Sequence, residues 1–216
     1  MSFIGRIATS ASQDRLESLI EERLKPGADK KRIDARIWDL FGENWAVMFT
    51  DLAGFSRRVA EFGIIHFLQT IHEAQRLLVP CIERHDGILL KTEGDSLLVI
   101  FRSAARALEC ALAMQRTARD YNRERDDAEQ VLLCVGLGCG RLLRIGDHDV
   151  FGAEVNAAAK LGEDTAKAWE ILVTGAVRQL AQEARDAGSF PEPVGFEALP
   201  DAPPGAEAAF RVTYRL

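Results

Sequence analysis

Two strand-forming runs separated only by Glu93-Gly94-Asp95 constrain this chain more than any other feature. Runs at 87–92 and 96–101 joined so tightly pair as an antiparallel hairpin. Before them stands a third apolar run, 45–50, which ends at Asp51 and opens into the glycine-containing turn Ala53-Gly54-Phe55-Ser56. Between it and the hairpin, Ile64, Phe67, Leu68, Ile71, Leu77, Leu78 and Cys81 recur at helical spacing over 64–83, with Pro80 expected to kink the last turns. Residues 103–121 read as a second helix, N-capped by Ser103. The order is therefore βαββα, the frame of a mixed α+β domain.

The flanks fill out that frame. A helical stretch over 13–40 is interrupted at Lys25-Pro26-Gly27, with Leu16, Leu19, Ile20 and Leu24 on one face before the break and Ile33, Ile37 and Leu40 beyond it. This amphipathic arm either packs on the domain or serves as a dimer or regulatory contact, and residues 1–42 are set apart as an N-terminal helical arm from a catalytic unit over 43–216. Residues 131–143 form a strand in which Gly136, Gly138 and Gly140 mark a bend or a close backbone approach. A small-residue helix over 152–161 carries Asn156 and Lys160 four apart, hence on one face. A strand at 171–174 and a helix at 176–187 follow. The proline-rich segment 188–205 reads as loop with at most one short strand, and 210–214 as a closing edge strand.

Composition narrows the class. With 216 residues, 47% hydrophobic and 28% charged, the chain can bury a sizeable core. A net charge of -6 argues against non-specific binding to nucleic acid or an anionic membrane surface. No run reaches the roughly 18 to 20 apolar residues of a membrane span, and Met1-Ser2-Phe3-Ile4-Gly5-Arg6 lacks the layout of a secretory signal, so a cytoplasmic protein is expected. Cys81, Cys110, Cys134 and Cys139 form no CxxC pair and read as reduced, packed thiols.

Asp51 and Asp95 each sit at the mouth of an apolar strand, where an unpaired charge is costly unless a cation or polar partner meets it. In a βαββ sheet the first strand commonly lies beside the hairpin, which lets the two carboxylates share a cation. Hard oxygen ligands without His or Cys select Mg²⁺ or Mn²⁺, and such ions complete their shells with substrate phosphates. The turn after Asp51 can aim amides of a helix start at phosphate oxygens. A nucleoside triphosphate is the expected substrate.

Four motifs, in order, resemble the class III nucleotidyl cyclase catalytic domain, the family of adenylate and guanylate cyclases. Phe49-Thr50-Asp51-Leu52-x-Gly54-Phe55-Ser56 matches the first metal motif and Lys91-Thr92-x-Gly94-Asp95-Ser96 the second. Val135-Gly136-Leu137-Gly138-Cys139-Gly140 resembles the strand before the family's tongue. Residues from Asp149-Val150-Phe151-Gly152 through Val155-Asn156 to Lys160-Leu161 match the base and transition-state motif. The resemblance implies a ferredoxin-like βαββαβ core extended by further strands and helices. It also implies two Mg²⁺ or Mn²⁺ ions per site on Asp51, Asp95 and the Leu52 carbonyl, with the amides of Gly54, Phe55 and Ser56 around the triphosphate. Lys91 and Asp149 stand at the base-reading positions, and this pair is the adenylate type, which implies ATP. Asn156 would orient the ribose and Lys160 would meet the transition-state charge. Because the family builds each site from both subunits, a chain carrying both residue sets implies a homodimer with two shared sites.

The chain departs from the family pattern twice. Lys160 stands where Arg is usual, supplying the charge without a bidentate fork, and 191–209 holds no Lys or Arg for the terminal phosphates. Taken singly, Glu93, Asp147 and Glu163 read as solvated surface carboxylates. The leading expectation is an adenylate cyclase making cyclic AMP. The alternatives are a cyclase of the same fold acting on GTP or a pyrimidine triphosphate, and a non-catalytic regulatory dimer. A diguanylate cyclase would share the core but lacks its Gly-Gly-Asp/Glu-Glu-Phe signature here.

Overall fold

The computed structural model describes residues 11–190 and 193–215, and within 55–58 the backbone alone. Two helices open it, α1 (Ala11–Leu24) and α2 (Lys30–Phe41), with Asp29 capping α2 by accepting the Arg32 amide at 3.1 Å. Strand β1 (Gly42–Leu52) leads through a short helix α3 (Phe55–Phe62) into α4 (Ile64–Arg84), which contains Pro80. The hairpin β2 (Ile88–Glu93) and β3 (Ser96–Phe101) turns at Gly94, whose φ of 60° suits glycine. Helix α5 (Ala104–Asn122) starts at the expected Ser103 cap and leads to β4 (Leu133–Ile145) and β5 (Asp149–Phe151). Helix α6 (Ala153–Ala159) runs directly into a π-helical turn, Lys160–Thr165. Strand β6 (Ile171–Thr174), helix α7 (Gly175–Asp186) and strands β7 (Gly195–Ala198) and β8 (Ala209–Thr213) complete the chain.

The sheet order is β2-β3-β1-β4-β6-β8-β7, with β5 beside the far end of β4. Its β2-β3-β1-β4 portion is antiparallel throughout and is the expected ferredoxin-like core. Beyond it, β6 joins β4 in parallel and β8 joins β6 antiparallel. One expectation is corrected here. Strand β8 is internal, because β7 emerges from the proline-rich segment and pairs with it from Gly195 to Ala198, taking the edge.

Alternation along the strands divides the core between two faces. Ala46 and Met48 of β1, with Leu97, Val99 and Phe101 of β3 and Leu133, Val135 and Leu137 of β4, pack under α4, α5 and α7. Trp45 and Val47, with Leu98 and Ile100, face the opposite side, where Val155 and Ala158 of α6 meet them. Asp51 continues this second row. The arm folds onto the end of β4, burying Leu19, Ile33, Ile37 and Phe41 against Ile145, with Leu16 and Leu143 beside them.

The glycines of β4 set the height of α6. Gly136, Gly138 and Gly140 are two apart and share one face, and a Cβ at Gly136 would run into the Ala158 carbonyl and the Gly162 amide. At Gly138 it would strike the Glu154 carbonyl, and at Gly140 it would lie 3.0 Å from the Glu154 side chain. Removing three side chains lets the helix backbone rest directly on the sheet, which is the close approach expected from the sequence.

Candidate active site

Thr50 fixes the first carboxylate. Fully buried, its hydroxyl accepts the Leu97 amide at 3.2 Å and locks the end of β1 to the start of β3. The Thr50–Leu97 register places Asp51 and Ser96 one residue further along their strands, with Asp95 in the adjoining turn. Asp51 and Asp95 come within hydrogen-bonding reach, as the sequence predicts. Burial pushes the Asp51 carboxyl up to about 7, and the neighbouring Asp95 charge adds to it against the opposing Leu52 amide. One Asp95 carboxylate oxygen, Oδ2, is buried without a hydrogen-bond partner.

A raised acid next to a carboxylate with one orphaned oxygen fits a hard divalent cation, which would offset their repulsion. The pair is not a preformed cage, since no group of three or more His, Cys, Asp or Glu among the described residues has metal-holding geometry. An ion with few protein ligands keeps open positions for phosphate oxygens. Gly54 follows at the N-cap of α3 with φ 87°, a left-handed turn open to glycine, so the chain reverses into the helix where phosphate amides are expected. The side chains of Phe55 and Ser56 lie outside the described residues.

Lys91 and Asp149, the two residues expected to read the base, are also brought together, from β2 and β5. The Lys91 ammonium donates to Asp149 Oδ2 at 3.1 Å and lies 2.9 Å from Glu93. Its pKa is raised, first by Glu93 and then by Asp149, so it carries its charge at neutral pH. Asp149 Oδ1 takes the Val150 amide at 2.9 Å, which fixes the carboxylate's orientation. A shallow cleft lined by Phe49, Lys91, Glu93, Ser96, Leu98 and Glu163 borders these groups. Two larger hollows, of about 460 and 290 Å³, hold none of the expected site residues.

Asn156 and Lys160 lie exposed, one turn apart along α6 and its continuation, with the Lys160 ammonium 2.7 Å from Asp164. Two acidic residues to which sequence reasoning gave no part in the site lie nearby. Glu154 Oε2 accepts the Cys139 amide at 3.0 Å and the buried Thr174 hydroxyl at 2.7 Å, pinning the start of α6 to β4 and β6. Glu163, expected to be merely solvated, accepts the Ser96 hydroxyl at 2.7 Å. Its signal in the sequence is Gly162, a glycine in a helical stretch followed by two acids. The four cysteines are free, and burial, with Glu154 adding to it, pushes the Cys139 thiol up to about 11.

A family model described as the adenylate and guanylate cyclase catalytic domain matches residues 42–191, more than two thirds of the chain. The chain belongs to this family. An adenylate cyclase of Streptomyces coelicolor is 28% identical to this cyclase domain over 165 residues, covering 76% of the chain but 39% of the relative. The serine/threonine-protein kinase pkn2 of Myxococcus xanthus is 32% identical over 158 residues, 73% of the chain and 18% of that protein. The cyclase domain thus spans well under half the length of these relatives. Among solved structures, an adenylate/guanylate cyclase/hydrolase of Silicibacter pomeroyi superposes with TM-score 0.65 at 27% identity, over 79% of this chain and 95% of the other. Among the described residues no helix is long and apolar enough to cross a membrane.

Proposed function

We propose that this chain is an adenylate cyclase, converting ATP to 3′,5′-cyclic AMP and pyrophosphate at two equivalent sites shared between the subunits of a homodimer. The observation that carries the reading is the pairing of Lys91 with Asp149 at 3.1 Å. It sets one donor and one acceptor side by side, matching the N1 acceptor and 6-amino donor of adenine. Both partners are pre-oriented, Lys91 by Glu93 and Asp149 by the Val150 amide.

Asp51 and Asp95, with the Leu52 carbonyl, would hold two Mg²⁺ or Mn²⁺ ions. When bound, these supply Lewis-acid stabilisation of the 3′-oxygen and of the charge developing on the phosphates. Amides of the turn at Gly54, Phe55 and Ser56 would receive the triphosphate. Asn156 would hold the ribose so that its 3′-oxygen faces the α-phosphorus. The 3′-hydroxyl proton passes to solvent water, the bond from that oxygen to the α-phosphorus forms, and the bond from that phosphorus to the bridging oxygen breaks, releasing pyrophosphate. Lys160, exchanging Asp164 for the substrate, would meet the charge at phosphorus with a single-point donor.

Asn156 on α6 and Lys160 at the start of the turn that follows it are exposed, available to a second copy, and both residue sets stand on one chain, as a symmetric dimer with two centres requires. The test uses purified protein with Mn²⁺ and each of the four ribonucleoside triphosphates. Cyclic AMP is expected to form preferentially from ATP. Formation no faster than in an Asp51→Ala, Asp95→Ala double variant would sink the enzyme reading and leave a regulatory dimer, whereas a preference for another nucleotide would overturn the base assignment alone. Mixing inactive Asp51→Ala chains with inactive Asn156→Ala chains is expected to restore activity through one intact centre per heterodimer.

A further inference from the structure

The π-helical turn that ends α6 reaches back to the metal half of its own chain. Inserting a residue into a helical ladder changes where successive side chains point, and such turns recur at functional sites. Here Lys160 and Asp164 pair with each other at 2.7 Å, while Glu163 extends to Ser96, whose hydroxyl it accepts at 2.7 Å across 67 residues of sequence. The approach depends on Gly162, where a Cβ would lie 2.8 Å from both the Gly136 amide and the Phe49 carbonyl. The turn is therefore seated on β1 and β4 at the mouth that presents Asp51.

Ser96 directly follows Asp95 and pairs with Glu93 across the hairpin, so a tether on Ser96 holds the turn that carries the second carboxylate. The charge of Glu163 also bears on Asp51. A third acid beside two that already repel is unfavourable in the absence of a cation and favourable in its presence. The buried, unpartnered Asp95 Oδ2 marks where such a cation would be met most directly.

We propose that Glu163 is a positioning residue of the metal half: through Ser96 it fixes the Asp95 turn over Asp51, and its charge raises the affinity for a divalent cation without ligating it. This rests on the reading of Asp51 and Asp95 as the metal carboxylates. The test is Mn²⁺ alone titrated into the full chain, with free Mn²⁺ followed by electron paramagnetic resonance. Glu163→Gln keeps an acceptor for Ser96 and removes the charge; Ser96→Ala removes the tether and keeps every charge. Neighbours that orient metal ligands typically alter affinity by 10- to 100-fold, and at this exposed position the lower end, about tenfold, is expected for Glu163→Gln, with several-fold weakening for Ser96→Ala. Thermal unfolding of Glu163→Gln in chelator is expected at or above that of the wild type, because one repulsion is gone. Mn²⁺ affinity of Glu163→Gln within twofold of wild type, or a lowered melting temperature in chelator with unaltered affinity, would overturn the proposal. An Asp51→Asn chain that binds Mn²⁺ as the wild type does would instead overturn the metal reading on which it rests.

Discussion

Replacing Asp51 by asparagine is expected to make the metal-free protein more stable while removing a carboxylate of the proposed metal site. In the folded chain burial and Asp95 push the Asp51 carboxyl up to about 7, whereas in an unfolded chain it titrates near its ordinary value of about 3.9. Between these values the folded state holds more protons than the unfolded one, so stability is fully present below about pH 4 and is lost as the pH rises through about 7. Taken at face value the difference corresponds to roughly 4 kcal/mol. Asp51 is only half-buried, and screening by the adjoining solvent cuts this to about 2 kcal/mol. An asparagine side chain would keep the shape of the protonated acid and never ionise. In chelator at pH 8, Asp51→Asn should therefore melt roughly 4–8 °C higher than wild type, given the usual 2–4 °C per kcal/mol for a chain of this size. At pH 5, where the folded wild type is mostly protonated, the advantage should shrink to less than half. Added Mn²⁺ should raise the melting temperature of the wild type alone. Differential scanning calorimetry in chelator at the two pH values reads this directly. An asparagine variant that melts at or below wild type at pH 8, or whose gain is equal at both pH values, would refute the reasoning.

Gly136→Ala would force a methyl group against the Ala158 carbonyl and the Gly162 amide, both backbone and neither able to swing aside. Overpacking of this kind costs about 1–3 kcal/mol, seen as a lower midpoint in urea unfolding, and it should lower kcat by lifting α6 off the sheet. Lys160→Ala should reduce kcat by about 10²–10³-fold, the usual loss when a transition-state charge partner is removed, while KM for ATP changes little. Steady-state kinetics with Mn²⁺ separates the two parameters, and a rise in KM at constant kcat would count against the assigned role.

The positions legible in the sequence are those where local chemistry and strand period speak together. Asp51 and Asp95 stood out because each sets a carboxylate at the mouth of an apolar strand, and β1 and the hairpin do bring them together. The glycines at 136, 138 and 140 were legible as a bend or a close approach, and the contacts a Cβ would make at each decide for the second. What approaches them, the backbone of α6, is a tertiary fact that no local pattern states. The sequence allows one short strand in 188–205 but does not give its partner, because Gly195–Ala198 is short and its pairing comes entirely from β8, which is why 210–214 reads as the edge. Glu163 looked like an ordinary surface acid because its partner, Ser96, lies 67 residues away. The π-helical turn that aims it follows from packing against Gly136 rather than from helix propensity.

That turn places a limit on length rather than on composition. Residues 160–165 occupy six positions of a wide helical turn, closed by the Ala166 amide donating to the Leu161 carbonyl at 2.8 Å and the Thr165 hydroxyl donating to the Lys160 carbonyl at 2.8 Å. Deleting one residue would let the ladder relax to a regular α-helix and would rotate everything after the deletion by about 100°. The shortened helix would be a more ordinary one, in which Lys160 and Asp164 still meet at helical spacing, yet Glu163 would leave Ser96. Substitutions in this stretch adjust single interactions, whereas a change in its residue count would turn the one long-range contact, Glu163 to Ser96, away from the hairpin.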